Sequence, residues 1–106
     1  MIDRKELREG NIVLLDNKPY VITLTALSQG INLDVNAVLL TDEILYKIGF
    51  INNHFSVSHK ITLVWRHGLM HLCVDTETTT LSHINSLHKL QNLYYMLWHE
   101  ELEASL

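Results

Sequence analysis

Cysteine and proline occur once each, and glycine four times, in 106 residues. The single Cys73 excludes an internal disulfide framework and fits a reducing compartment. So little glycine and proline leaves no room for long flexible linkers. No apolar run approaches the roughly 18 residues that a membrane helix requires, so no membrane partner is expected. The opening Met1-Ile2-Asp3-Arg4-Lys5-Glu6 is charged and lacks an apolar stretch, which predicts a cytoplasmic protein without a secretory signal. Basic charge is also short: eight Lys and Arg stand against twelve Asp and Glu, for a net charge of −4. That balance disfavours general binding to nucleic acid or anionic membranes, which needs a basic footprint. No nucleophile elbow, glycine-rich phosphate loop or dinucleotide fingerprint is present. The carboxylates are scattered apart from Glu100, Glu101 and Glu103. The expectation is a protein that is not an enzyme and carries no cofactor.

What is present is a globular composition, 47% apolar and 19% charged, in a chain of single-domain length. Residues 11–40 are strand-rich. Asn11 to Asp16 reads as a strand, closed by the turn residues Asp16-Asn17-Lys18-Pro19. Tyr20, Ile22, Leu24 and Ala26 then alternate with Val21, Thr23 and Thr25. After Gln29-Gly30, the series Ile31, Leu33, Val35, Ala37 and Leu39 keeps strict period two, as half-buried antiparallel strands do. A short helix is predicted over 42–49, with Thr41 as N-cap, Asp42 and Glu43 at the positive end, and Gly49 just past the last turn. Hairpin pattern fills 55–75. The alternation over 54–65 fits one long strand or two short ones, and Arg66-His67-Gly68 turns the chain into a return strand. Thr76 to Thr80 is polar and reads as a connection.

The region 84–104 is predicted as a long C-terminal helix. On a wheel of about 100° per residue, Leu87, Leu90, Leu93, Tyr94, Leu97, Trp98, Leu102 and Tyr95 share an arc about 200° wide. A helix lying on one sheet needs roughly half of that. The excess points to a cleft between layers or to another subunit meeting Tyr95, Trp98 and Leu102, a flank with the composition of an interface hot spot. Gln91 lies inside the apolar arc, with His88 at its edge and Asn92 further out. A buried primary amide left unpaired costs about 1–3 kcal/mol, so Gln91 must find partners. It either locks the helix onto sheet-edge backbone or, with His88 and Asn92, receives a peptide or small ligand. The fold class predicted is therefore α+β: an antiparallel sheet or partly closed small barrel of five to six strands, one short helix, and the long C-terminal helix packed on it.

Seven histidines raise the question of a metal. His71 and Cys73 share a strand face, His67 sits at the turn, and His59 lies on the neighbouring strand. Imidazole and thiolate are proper zinc ligands, yet no paired ligand spacing anchors such a site, so no metal is predicted. As a nucleophile–base pair, His71 and Cys73 stand roughly 7 Å apart along the backbone, too far for direct activation.

Three segments carry a resemblance. They are Arg8-x-Gly10-Asn11, Leu40-Thr41-x-Glu43-x-Leu45 running to Gly49-Phe50, and Leu87-His88-x-Leu90-Gln91-Asn92-Leu93-Tyr94 ending in Glu100-Glu101-Leu102. Together they resemble a group of small uncharacterised proteins of gut bacteria and their phages and prophages, which carry "RxGN", "PIPLTxExLxxxGF" and "HQLQNLYFALTGEEL". The matches span about a third of the chain in the same order. Ala37 and Leu39 replace the prolines, Lys89 a glutamine, and Trp98-His99 the Thr-Gly step, the last change predicting a helix that continues through Glu103. The resemblance implies an origin on phage or mobile DNA and supplies no activity. The stretch from Gly10 to Ile22 is also distantly similar to SH3-like barrels of the translation-factor type.

The leading expectation is an accessory protein acting by protein–protein contact through the C-terminal helix, with itself as a homodimer or with a host or phage protein. The alternatives are an acidic regulator or inhibitor of a host nucleic-acid-binding protein, and a small nucleic-acid module. The last requires Lys18, Lys47, Lys60, Arg66 or Lys89 to converge.

Overall fold

The structure, a computed structural model, describes residues 2, 4–28, 35–56 and 60–102. The chain is α+β, and its described residues form six strands in two antiparallel sheets and three helices. It divides into two compact units, Met1–Leu39 with Ser86–Leu102, and Leu40–Asn85 with Glu103–Leu106.

The first unit is built on a hairpin of β1 (Ile12–Leu15) and β2 (Lys18–Val21). Asp16 and Asn17 both take positive φ (53° and 64°), the conformation of a two-residue type I′ turn, which suits Asx side chains. The turn is thus shorter than predicted, and Pro19 falls inside β2 opposite Leu14. Proline is tolerated there because a two-residue turn makes Leu15–Lys18 the hydrogen-bonded pair, so residue 19 directs its nitrogen away from the ladder. The strand predicted over Tyr20–Ala26 ends at Val21, and Leu24–Ser28 forms the short helix α1. Thr23 Oγ1 accepts from Ala26 N at 3.2 Å and starts that turn. Of the strand predicted at 31–39, residues 31–34 lie outside the described residues. The remainder shows isolated antiparallel bridges, Asn36 to Leu14 and Leu39 to Ser86. Val13, Ile22 and Val35 form a buried cluster flanked by Leu7, Leu15, Tyr20 and Leu27.

The C-terminal helix α3 spans Leu87–Trp98 rather than 84–104, and it packs against β1. It does not continue through Glu103. His99 adopts a left-handed conformation (φ 55°) and its amide donates to Tyr95 O at 2.7 Å, so the chain leaves the helix where asparagine or glycine more often stands. The bend carries Glu101 back to Arg8 and buries Leu102.

The second unit is a four-stranded meander. In order, β3 (His54–Ser56), β4 (Ile61–Arg66), β5 (Leu69–Val74) and β6 (Glu77–Leu81) pair antiparallel. The 54–65 region is thus two strands, and the segment read as a polar connection is β6. Phe55, Leu63, Leu72 and Thr79 form one cross-strand row, and Trp65, Met70 and Leu81 the next. Leu63, Trp65 and Met70 are buried. The opposite face carries Ser56, Thr62, Cys73 and Thr78 in one row and His54, Val64, His71 and Thr80 in another. Neither sheet closes into a barrel; the six strands are split two and four.

Helix α2 covers Asp42–Lys47, with Thr41 Oγ1 accepting from Ile44 N. It ends in a Schellman arrangement, Gly49 N to Tyr46 O and Phe50 N to Leu45 O. Gly49 sits at φ 116°, and a Cβ there would stand 3.2 Å from the Phe55 ring. Phe50 is buried and its ring centroid lies 5.2 Å from that of Phe55.

Candidate functional site

Arg8, Asn11, His88, Gln91 and Asn92, all in the first unit, come together although they belong to opposite ends of the chain. Gly10 makes the approach possible: its φ of 91° is open to glycine at little cost. The Gln91 side chain accepts from Ile12 N at 2.8 Å and donates to Gly10 O at 3.1 Å. A residue in a parallel strand bonds its neighbour in the same way, one bond to each side of a facing residue. The carboxamide therefore imitates a strand beside Asn11. Further along, real backbone takes over, as Leu14 and Asn36 exchange both bonds at 2.8 and 2.9 Å.

Asn11 is fully buried. Its Oδ1 accepts from Arg8 N at 2.6 Å, and its Nδ2 donates to Asn92 Oδ1 at 2.8 Å. Asn92 Oδ1 also accepts from Arg8 Nε at 3.2 Å, while Asn92 Nδ2 donates to Glu6 O at 2.9 Å. The Arg8 guanidinium donates to both carboxylate oxygens of Glu101, at 2.5 and 3.1 Å, the bidentate geometry that arginine suits. Its carbon lies 4.4 Å from the centre of the Tyr95 ring, within cation–π range. Among the described residues no buried side-chain nitrogen or oxygen lacks a partner. The polar groups are consumed by one another, so the His88–Gln91–Asn92 patch is a clasp rather than an open receptor.

His88 is buried, with Nδ1 3.2 Å from Ser86 Oγ and Nε2 3.4 Å from Glu6 Oε1. Burial pushes the imidazole below its ordinary value of 6.5, outweighing the Glu6 carboxylate, which acts the other way. Neutral His88 with its proton on Nε2 donates to Glu6 and accepts from the Ser86 hydroxyl, which satisfies all three groups.

The aromatic flank is mostly engaged within the chain. Leu102 is 6% exposed, Trp98 is half-buried with its ring 4.9 Å from Tyr94, and Tyr95, 39% exposed, lies under Arg8. Solvent also meets Met96, 70% exposed, and Leu97, 43% exposed.

In the second unit, His71 Nδ1 lies 3.1 Å from Thr80 Oγ1 and Cys73 Sγ 3.6 Å from Thr78 Oγ1. Among the described residues no three His, Cys, Asp or Glu side chains are grouped to hold a metal ion; His59 lies outside them. His67 occupies a left-handed turn position (φ 55°) and borders a cleft of about 380 Å³ lined also by Asp42, Asn52, His54, Trp65 and Arg66. This mixed lining offers hydrogen bonds to a small polar molecule and contains no nucleophile–base pair. Lys47 is tied to Glu43 across one helical turn.

The sheet edges differ. β2 carries Lys18 and Pro19, two residues that blunt an edge against further pairing, and β3 is only three residues long. β6 ends the other side of the four-stranded sheet with Glu77-Thr78-Thr79-Thr80-Leu81. It has no proline, no lysine and three β-branched residues in succession, and Glu77 to Thr80 are exposed. Sequence reasoning passed over this edge because it lacks apolar alternation; the run of threonines was the available signal. No protein-family model, curated protein or solved structure matches the chain.

Proposed function

We propose that the protein is a binding module that acts by contact with another polypeptide, and that the contact is made by strand addition at β6. The observation that carries this reading is the contrast between a guarded edge at β2 and an unguarded one at β6. An open edge presents a row of backbone donors and acceptors, and an extended partner segment satisfies them directly. An accessory role on phage or mobile DNA, implied by the sequence resemblance, belongs to the same proposal. The orientation of β6 indicates which groups take part. Asp75 and Thr76 form a two-residue connection, so Val74–Glu77 is a hydrogen-bonded pair and residues 77, 79 and 81 bond inward to β5. The N–H and C=O groups of Thr78 and Thr80 therefore point outward.

The experiment is affinity capture from host lysate, with nuclease, using the wild type and Thr78→Pro. Proline at 78 removes an outward donor and leaves the β5 ladder intact. Loss of a stoichiometric partner with an unchanged melting temperature is the expected result. Equal capture by the variant would refute strand addition at this edge.

A further inference from the structure

Resting on the strand-addition reading of β6, we infer that the strand the edge accepts is β6 of a second copy, paired antiparallel about a twofold axis through Thr79. Three features of the sequence and register carry this. Antiparallel pairing about residue 79 sets Thr78 opposite Thr80 of the other copy, and Thr80 opposite its Thr78. These are the residues whose backbone groups point outward, so each pair exchanges two bonds and the interface holds four. Shifting the centre to residue 78 or 80 draws Thr76 or Ser82, turn positions beyond β6, into the ladder and leaves fewer strand residues paired. The centred register alone pairs all five residues of β6 with five.

Charge agrees with this register. Glu77 faces Leu81 of the other copy, and the two Glu77 carboxylates are separated by four residue steps, roughly 13 Å at the usual strand rise. No like charges oppose each other across the edge, which would be unfavourable. Thr79 faces its own counterpart in a close, non-hydrogen-bonded pair, where threonine hydroxyls can bond to each other. The product is a continuous eight-stranded sheet with an isologous interface. Five residues a side bury less than the roughly 1,000 Å² expected of a stable complex, so association is weak and becomes visible at hundreds of micromolar or so.

The test is sedimentation equilibrium from about 10 μM to about 1 mM on the wild type, Thr79→Lys, Thr79→Glu and an equimolar mixture of the two variants. Thr79 is exposed, so either side chain is accommodated in the monomer, and a melting curve confirms it. The wild type is expected to dimerise. Each variant alone, with like charges facing across the twofold, associates roughly tenfold more weakly or less well still. The mixture, in which an introduced ammonium faces an introduced carboxylate across the axis, regains the dimer. In the wild type the amides of Thr78 and Thr80 gain hydrogen-exchange protection as concentration rises, whereas those of residues 77, 79 and 81 are protected throughout. A wild type that stays monomeric overturns the self-pairing, while loss of the captured partner in Thr78→Pro would still uphold strand addition. A dimer indifferent to both charged variants places the interface elsewhere and overturns the inference. If Thr78→Pro also captures as the wild type does, the strand-addition reading falls with it.

Discussion

Replacing Gln91 by leucine tests whether the clasp holds the first unit together. The Gln91 side chain is 2% exposed and bonds to Ile12 N and Gly10 O. Leucine keeps most of the volume and leaves both backbone groups without a partner. Each unpaired buried group costs about 1–3 kcal/mol. Replacing the carboxamide with apolar carbon returns about 1 kcal/mol. The net loss is therefore about 1–5 kcal/mol, which lowers the melting temperature by on the order of 5–30 °C for a unit of this size. Urea titration followed by circular dichroism, with thermal melts beside it, reads the effect. A change below about 0.5 kcal/mol, the range of ordinary surface substitutions, would show that Ile12 N and Gly10 O are not dependent on Gln91. It would also return the His88–Gln91–Asn92 patch to consideration as a ligand site.

Four further outcomes are expected. Because burial lowers the pKa of His88, the unfolded chain binds a proton more readily than the folded one below 6.5. Stability is therefore level above about pH 6.5 and falls as pH drops towards the folded value; urea midpoints at about pH 7.5 and about pH 5.5 should show this, with a smaller drop in His88→Asn. Arg8→Met removes one of the two donors to Asn92 Oδ1, the bidentate contact to Glu101 and the stack on Tyr95 and should cost about 1–3 kcal/mol, whereas Glu101→Gln, at a half-exposed carboxylate, should cost under about 1 kcal/mol; equal effects in urea titration would contradict that ordering. Gly10→Ala forces a side chain into φ 91° and should cost about 1–2 kcal/mol in the same titration, although its nearest neighbour is 3.8 Å away. The double change Tyr95→Ala, Trp98→Ala should lower the melting temperature through lost packing on Tyr94 and Arg8; unchanged melting with altered association in sedimentation would make that flank an interface.

The parts legible in the sequence are those where one local signal dominates. Thr41 and Gly49 bracket α2 because capping and a left-handed residue each have a chemical requirement. Gln91 announced a buried amide needing partners because its wheel position is independent of where the helix ends. Ambiguity arose where two periods coincide. Ile22 and Ala26 are four apart, which satisfies strand alternation and a helix face equally, and the Thr23 cap decided for α1. β6 was hidden because its partners come from β5 and its own residues are almost all polar. The end of α3 was hidden for another reason: His99 is left-handed because Glu101 and Leu102 are drawn back to Arg8 and the core, a constraint from 93 residues away. The members of the clasp could be named singly, but their convergence depended on Gly10 and Asn11 meeting a distant helix.

The first unit is discontinuous in the chain, with residues 40–85 between its two parts. During synthesis at about 5–20 residues per second, roughly 3–15 s separate the hairpin from the helix that completes it. The continuous part of the second unit, residues 40–85, holds α2 and a run of neighbouring hairpins and can form those local pairings in that interval. The β1–β2 hairpin cannot be completed then, since Gln91 has not yet been made and the Ile12 amide faces solvent. Vectorial synthesis therefore gives the inserted unit a head start, and leaves the outer side of β1 as the surface most open to mispairing on the nascent chain.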